Sequence, residues 1–305
     1  MSAAIDQPHF GNVGSGVVGN RPRITLALCG LLAVYVAARI LEVFPGRLTG
    51  LAVIALHVLA PAIFAALHGG IVYRIRGIVT FFAISLIVGN IFENLGVVIG
   101  FPFGRYYFTD LMGPKLFHVP ILLGLAYVGM GYLSWVLALV ILGGTERPLS
   151  GSRVMTLPLV ASFIMVAWDL SQDPIWSTIL HGWVWVNGGA YFGVPVGNFF
   201  GWFLDVYLIY QMWALYLRGG SATRNRLAPG YWKLAVLFYA AVAAGNVLQI
   251  LPRFGPSVVS DPTGVQWRVS DITGTCALVS IFVMGAFAVL AWVRLMNQKA
   301  DSPQS

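Results

Sequence analysis

The chain has 305 residues, is 58% hydrophobic and only 10% charged, and has a mean hydropathy of +0.80, whereas soluble domains carry about 25% charged residues. These values exclude a disordered, fibrous or ordinary water-soluble protein. The net charge of +7 arises from 18 Lys and Arg against 11 Asp and Glu; because the basic residues stand at the ends of long apolar runs, membrane topology explains it and no nucleic-acid partner is expected.

In chain order, residues 1–22 come first. They contain Gly14, Gly16 and Gly19 in a G-x-G-x-x-G arrangement, but no strand precedes it and no βαβ unit follows, so the segment reads as a flexible tail. The span 24–44 carries Arg39 and Glu42 near its end. Its apolar stretch is too long for a signal h-region and lacks a convincing cleavage site, so it reads as a retained helix. The runs 48–73, 116–145, 234–252 and 272–293 hold no Asp, Glu, Lys or Arg, and each can cross a hydrocarbon core of about 30 Å. Spans 77–99, 153–171 and 199–217 are similarly apolar, interrupted near one end by Glu93, Asp169 or Asp205. The expected architecture is an all-α integral membrane protein of about eight transmembrane helices. It forms one polytopic domain over 23–295, with a C-terminal tail at 296–305. Cys29 and Cys276 lie in separate apolar runs and imply neither a disulfide framework nor a thiolate metal site.

With eight spans, twelve basic residues fall on the side of the termini and five on the other, while Arg39 lies within a span. The positive-inside rule then puts both termini in the cytoplasm of a cell-membrane protein. The acids run the opposite way: Asp6, Glu146 and Asp301 are inner, and the other eight lie in or near the outer half.

Depth can be counted from the basic anchors at about 1.5 Å per residue. Glu93 is 17 residues beyond Arg76, Asp169 is 16 beyond Arg153, His57 is 17 before Arg74 and Arg39 is 16 beyond Arg23. Gln249, 16 beyond Lys233, shares the layer, and Asn94 adjoins it. Ionisable groups at lipid-facing positions are costly, so these side chains are expected to face inward together. The plainer alternative is that Arg39 pairs with Glu42 and Glu93, that Asn94 and Gln249 bond between helices, and that His57 is a satisfied core histidine. His68, eleven residues from His57, has no matching histidine pair that would support haem.

Two outer connections are aromatic and partly hairpin-like: FPFGRYYFTDLMGPKLFHVP at 101–120 and SQDPIWSTILHGWVWVNGGAYFGVPVGNFFGW at 171–202. Each contains Gly-x-Tyr, at Gly104–Tyr106 and Gly189–Tyr191, and each has Val-Pro at or before the next span, which hints at a tandem helix-pair repeat. Trp183 and Trp185 alternate with valines before the turn signal Asn187-Gly188-Gly189, so a small hairpin or re-entrant cap is expected there. An interfacial aromatic belt accounts for part of these rings. Asp169 and Asp173 share a helical spacing, although Pro174 disfavours helix at Asp173; Asp173 as an N-cap is the alternative. Asp261-Pro262 reads as a turn.

In combination, Glu93-Asn94-Leu95-Gly96, Phe101-Pro102-Phe103-Gly104-Arg105-Tyr106-Tyr107, Gly113-Pro114-Lys115-Leu116, Asp169 with Asp173-Pro174, Gly189-Ala190-Tyr191-Phe192-Gly193-Val194-Pro195 and Asn198-Phe199-Phe200-Gly201-Trp202 resemble the membrane-integral carotenoid biosynthesis family. Its members include carotenoid 1,2-hydratases acting on γ-carotene or lycopene ends and bisanhydrobacterioruberin hydratases acting on longer carotenoids. The resemblance covers roughly residues 50–295, with His118 standing where a glycine commonly precedes the first Val-Pro. It implies addition of water across the terminal 1,2 (1′,2′) double bond of an acyclic end group, without metal or organic cofactor.

The residues suit that chemistry independently. A carboxyl kept neutral in a dry site can protonate an alkene, and aromatic faces favour the resulting tertiary cation. Glu93, Asp169 and Asp173 are the expected acid and water-orienting set. Arg105, Tyr106, Trp183, Trp185, Asn187, Tyr191, Asn198 and Trp202 are the expected substrate-binding residues. The implied partners are membrane lipid, the carotenoid and other carotenoid biosynthesis enzymes. A non-catalytic isoprenoid carrier and a carotenoid cyclase are the competing readings. A proton-coupled transporter fits less well, because its acids would lie near mid-membrane.

Overall fold

The computed structural model describes residues 22–44, 50–145, 149–219, 227–251 and 256–300. The expected N-terminal tail, the anchors Arg21, Arg47, Arg147, Arg224, Arg226 and Arg253, and the acids Asp6, Glu146 and Asp301 lie outside these residues. The helices are α1 (Pro22–Leu41), α2 (Gly50–Ile99), α3 (Ile121–Ile141), α4 (Arg153–Leu170), α5 (Val196–Arg218), α6 (Pro229–Val247), α7 (Val269–Val279) and α8 (Gly285–Ala300). A wide turn at Ser280–Met284 joins α7 to α8. Six helices among the described residues are long and apolar enough to cross a membrane. α5, at 23 residues, is long enough but more polar, since Asn198, Asp205 and Gln211 lie on it.

α2 is two helices in one run. Arg74 has φ 59° and ψ 172°, outside helical values, and Gly69 packs against the side chain of Ile78, which a straight helix would hold about 13 Å away. The chain therefore turns back at the exposed Arg74–Arg76 turn, where the sequence places a connection. Counting α2 as two passes and α7–α8 as one gives eight.

α3 is the centre of the bundle. It packs against α2, α4, α6 and α8, and every residue from Ala126 to Val140 is buried. Small residues permit this closeness: a Cβ added at Gly129 would lie 2.8 Å from the backbone nitrogen of Ala62. α3 starts later than the expected 116–145 span, because Lys115–Leu116 (β2) and Val119–Pro120 (β3) form a hairpin before it. Hydropathy reads apolar strand and helix alike. At the other extreme, α8 continues to Ala300, into the segment read as a tail.

The connections after α2, α4 and α6 gather at one end of the bundle, here termed the capped end. Tyr106–Phe108 (β1) pairs antiparallel with Trp183–Trp185 (β4), and Val258–Ser260 (β5) pairs with Gln266–Arg268 (β6). The strand at 183–185 thus finds its partner in the other aromatic connection, 77 residues earlier, and not across the Asn187-Gly188-Gly189 turn. Pro120 and Pro195 each stand at the N-cap of the following helix, where a missing N–H costs nothing.

Candidate functional site

At the end of α4 the helix loosens into a turn at Ser171–Gln172 and resumes at Asp173-Pro174, followed by a wide turn over Ile175–Ile179. Pro174 fits because it opens a new helical segment, whose first N–H groups have no partner in any case. Asp173 is helical, and its carboxylate is no cap. Its Oδ1 accepts the indole N–H of Trp183 at 2.9 Å and of Trp185 at 3.2 Å. Its Oδ2 accepts Asn198 Nδ2 at 2.6 Å, and the same amide nitrogen donates to Asp169 Oδ2 at 3.2 Å. Asn198, on the first turn of α5, therefore bridges two buried carboxyls.

The indoles reach Asp173 because Trp183 and Trp185 are two residues apart on β4 and project to one side. Opposite them on β1, Tyr106 and Phe108 are buried and Tyr107 is exposed. The two-stranded ribbon lays one aromatic face over the acids. The hydroxyl of Tyr106 donates to Glu93 Oε2, and that of Tyr127 on α3 donates to Glu93 Oε1 at 2.6 Å. Burial, followed by the neighbouring Glu93, pushes the Tyr106 hydroxyl well above its ordinary value of 10.0, so it remains a donor. Tyr127 is stacked on Trp202 with centroids 4.8 Å apart. Asp205, one turn beyond Trp202, is fully buried, and Tyr127 is the neighbour closest to serving its carboxyl as a donor.

Two cavities meet here. One, of about 20 Å³, is lined by Glu93, Tyr106, Asp173, Trp185 and Asn198, which is room for one water. The other, of about 60 Å³, is almost wholly apolar, with Ile54, Ala126, Trp168 and Trp176 in its wall, and Asp169, His57 and Gln172 at its polar positions. Leu123, Trp183 and Trp202 belong to both walls.

The expected layer of polar residues divides in two. Arg39 Nη1 lies 3.0 Å from Glu42 Oε2, and His57 Nε2 lies 2.6 Å from Glu42 Oε1. Arg39 also contacts His57 and donates to Asn246 Oδ1 at 3.2 Å. Gly245 leaves room for the guanidinium beside α6. Arg39 does not pair with Glu93, whose partners are the two tyrosines. Gln249 is buried, while Asn94 bonds back to Asn90 and accepts the His118 N–H. His68 is a satisfied core histidine between the Tyr132 hydroxyl and the Tyr231 carbonyl.

Glu93, Asp169, Asp173, Tyr106, Trp183, Trp185, Asn198 and Trp202 thus come together, whereas three expected residues do not. Arg105 is exposed, and its backbone carbonyl accepts the Val186 N–H as part of the ribbon. Asn187 is exposed in a turn, ahead of Gly188 at φ 59°. Tyr191 is half-buried and donates to the Leu170 carbonyl at 3.0 Å, bracing the end of α4 from outside both cavities. The two Gly-x-Tyr segments therefore differ in role, because Tyr106 enters a strand and Tyr191 a tight turn bridged to Val194. Tyr127, Trp168, Phe103 and Asp205 belong to the site or its walls and were not expected there. Asp205 was visible as the charge interrupting its span; Tyr127 sits in an uncharged run with no signal of its own.

Fold and site together define a polytopic membrane protein with a carboxyl cluster buried beneath an aromatic ribbon. The sequence profile of a family described as carotenoid biosynthesis protein matches residues 49–260, most of the chain and every residue of the cluster. The chain belongs to that family. Comparison with curated proteins and with solved structures finds no match.

Proposed function

We propose that the protein is a carotenoid hydratase, a hydro-lyase that adds water across the terminal 1,2 (1′,2′) double bond of an acyclic carotenoid end. The observation that carries this reading is the Asn198 amide bridging Asp169 and Asp173 beneath the two indoles. Asp173 accepts three N–H groups and serves as the carboxylate. Asp169, held by one longer contact and facing the apolar cavity, carries the proton. The alkene takes that proton on its CH carbon as the π bond breaks, and the tertiary cation is faced by Trp168, Trp183 and Trp202. Water held at Asp173 and at the free Oδ1 of Asn198 forms the C–O bond and gives its proton to Asp173; transfer within the pair restores the start. Glu93, fixed by two phenols, sets the field around the water chamber.

On this reading the protein resides in the cell membrane with both termini cytoplasmic, as the basic residues suggest. Its partners are membrane lipid, the pigment and neighbouring enzymes of the pathway. Expression in a lycopene-accumulating bacterium should yield pigment heavier by one water. Heavy-oxygen water should label the hydroxyl, and conversion should need no oxygen gas. Unchanged pigment would point to a carrier, an isomer to a cyclase, and label from oxygen gas to a hydroxylase.

A further inference from the structure

Trp185 also lines a third cavity, of about 150 Å³, with room for several waters. Its wall is more polar than that of the apolar cavity, although Val184 and Pro262 also belong to it. Ser177, Thr178, His181, Ser260 and Asp261 line it together with Trp185 and Gly193. His181 and Ser260 are exposed and form its mouth. The Ser177 hydroxyl donates to the backbone carbonyl of Asp173 at 2.7 Å, so the inner wall is continuous with the acid site. Gly193 keeps the space open: its φ is +90°, and an added Cβ would lie 3.0 Å from Thr178 Oγ1 and 3.2 Å from Asp261 Cβ. Trp185 lines both this cavity and the small chamber holding Glu93, Asp173 and Asn198. The indole common to both walls is hydrogen-bonded to Asp173.

We propose that this polar cavity is the water entrance of the acid site, and that the Trp185 indole is the gate between it and the acids. The inference rests on the hydratase reading, in which water is a substrate that must arrive without wetting the apolar cavity where the alkene is protonated. Entry through the polar cavity meets that need. Water passing the indole arrives at Asp173, the carboxylate that takes its proton, while Asp169 stays on the dry side. When water is withheld, the cation formed by protonation can only return a proton.

The test plugs the mouth. Ser260 is exposed at the end of a strand, where an aromatic residue is well tolerated, so Ser260→Trp narrows the entrance without touching the acids. In heavy water, the measured quantity is the ratio of deuterium in recovered unhydrated pigment to hydrated product. Ser260→Trp should raise that ratio by about tenfold, and Ser260→Ala should leave it unchanged. A second measurement does not depend on turnover. In detergent, Thr178→Cys in a Cys29→Ser background should react with a small charged thiol reagent, and adding Ser260→Trp should slow the reaction about tenfold. An unreactive Thr178→Cys, or an unaltered deuterium ratio in the plugged variant, would overturn the entrance while leaving hydration standing. Wild-type protein that neither hydrates nor exchanges would sink the hydratase reading and with it the role of the cavity in that reaction.

Discussion

The side chains of Arg39 and Glu42 are as deeply buried as Glu93 and Asp169, at the same end of the same bundle, yet the two groups are stabilised in opposite ways. Around Arg39 a cation, a carboxylate, an imidazole and the Asn246 amide contact one another, with only the guanidinium Nε of this group left without a hydrogen-bond partner among the described residues, and the chain continues through Asn246 to Ser171 at 3.0 Å. Around Glu93, Asp169, Asp173 and Asp205 no cation forms an ion pair among the described residues. The donors there are phenols, indoles and one amide. A paired cluster is what a bundle uses to close a polar seam. A cluster of carboxyls held by neutral donors is expensive for folding and suited to moving a proton.

The largest expected effect breaks the second cluster. Asp169→Asn and Asp173→Asn keep the shape around Asn198 but remove the proposed acid and its proposed base, so pigment conversion per extracted protein should fall by roughly 10³-fold. Glu93→Gln should act in the same direction. None should lower the yield of folded protein, because each removes a buried ionisable group. Near-normal turnover in all three would make the acid cluster as structural as the arginine cluster.

Next in size is the converse experiment. Arg39→Met leaves Glu42 buried without its cation and should cost about 3–5 kcal/mol of stability, whereas Arg39→Met combined with Glu42→Leu should recover much of that loss. Thermal unfolding in detergent measures both. Turnover per folded molecule should change little, and a large loss of turnover at unchanged stability would move Arg39 into the chemistry.

The aromatic ribbon sharpens the comparison further. Trp202→Leu retains much apolar volume but removes a ring face from both cavities; loss of a desolvated cation–π interaction of roughly 2 kcal/mol slows turnover about thirtyfold. Tyr106→Leu, which also unties Glu93, should lose at least as much. Tyr191→Leu should leave specific conversion near normal, since its hydroxyl only braces Leu170. Equal losses at Tyr106 and Tyr191 would restore the symmetry that the Gly-x-Tyr pattern suggests.

That asymmetry shows where sequence legibility ends. The spans were readable because uncharged runs of about 20 residues have few other uses, and the depth of Glu93 and Asp169 was readable because helical rise is constant. Azimuth was not. Whether Arg39 meets Glu93 or Glu42 depends on how α1 turns against α2 and α6, and spacing carries no information about that rotation. The ribbon was half legible: alternation marked Trp183–Trp185 as a strand, but its partner lies in the preceding aromatic connection, and no local turn signal encodes a pairing of that span. Tyr127 illustrates the remaining difficulty, since a tyrosine in an all-buried helix looks like core until Glu93 is found against its hydroxyl.

Asp261 gives the smallest expected effect and the clearest sign. It resembles Asp173 in accepting an indole N–H, from Trp267 at 3.1 Å, but it lies in the β5–β6 loop outside the spans. Burial by itself would raise its pKa. The Thr263 hydroxyl at 2.6 Å, the Trp267 indole and the backbone N–H groups of Thr263 and Val265 outweigh burial and hold the carboxyl below its ordinary value of 3.8. A depressed folded pKa means that the ionised group stabilises the loop above the unfolded value of about 3.9, and that this contribution is lost as pH falls through the folded value. Charge-assisted bonds of this kind are about twice as strong as neutral ones. Asp261→Asn should therefore speed amide exchange in residues 257–268 severalfold relative to wild type at neutral pH, with little change elsewhere. The ratio should shrink toward one once the wild-type carboxyl is itself protonated. A ratio independent of pH would mean that shape, not charge, holds this loop, and the likeness between Asp261 and Asp173 would then extend to geometry alone.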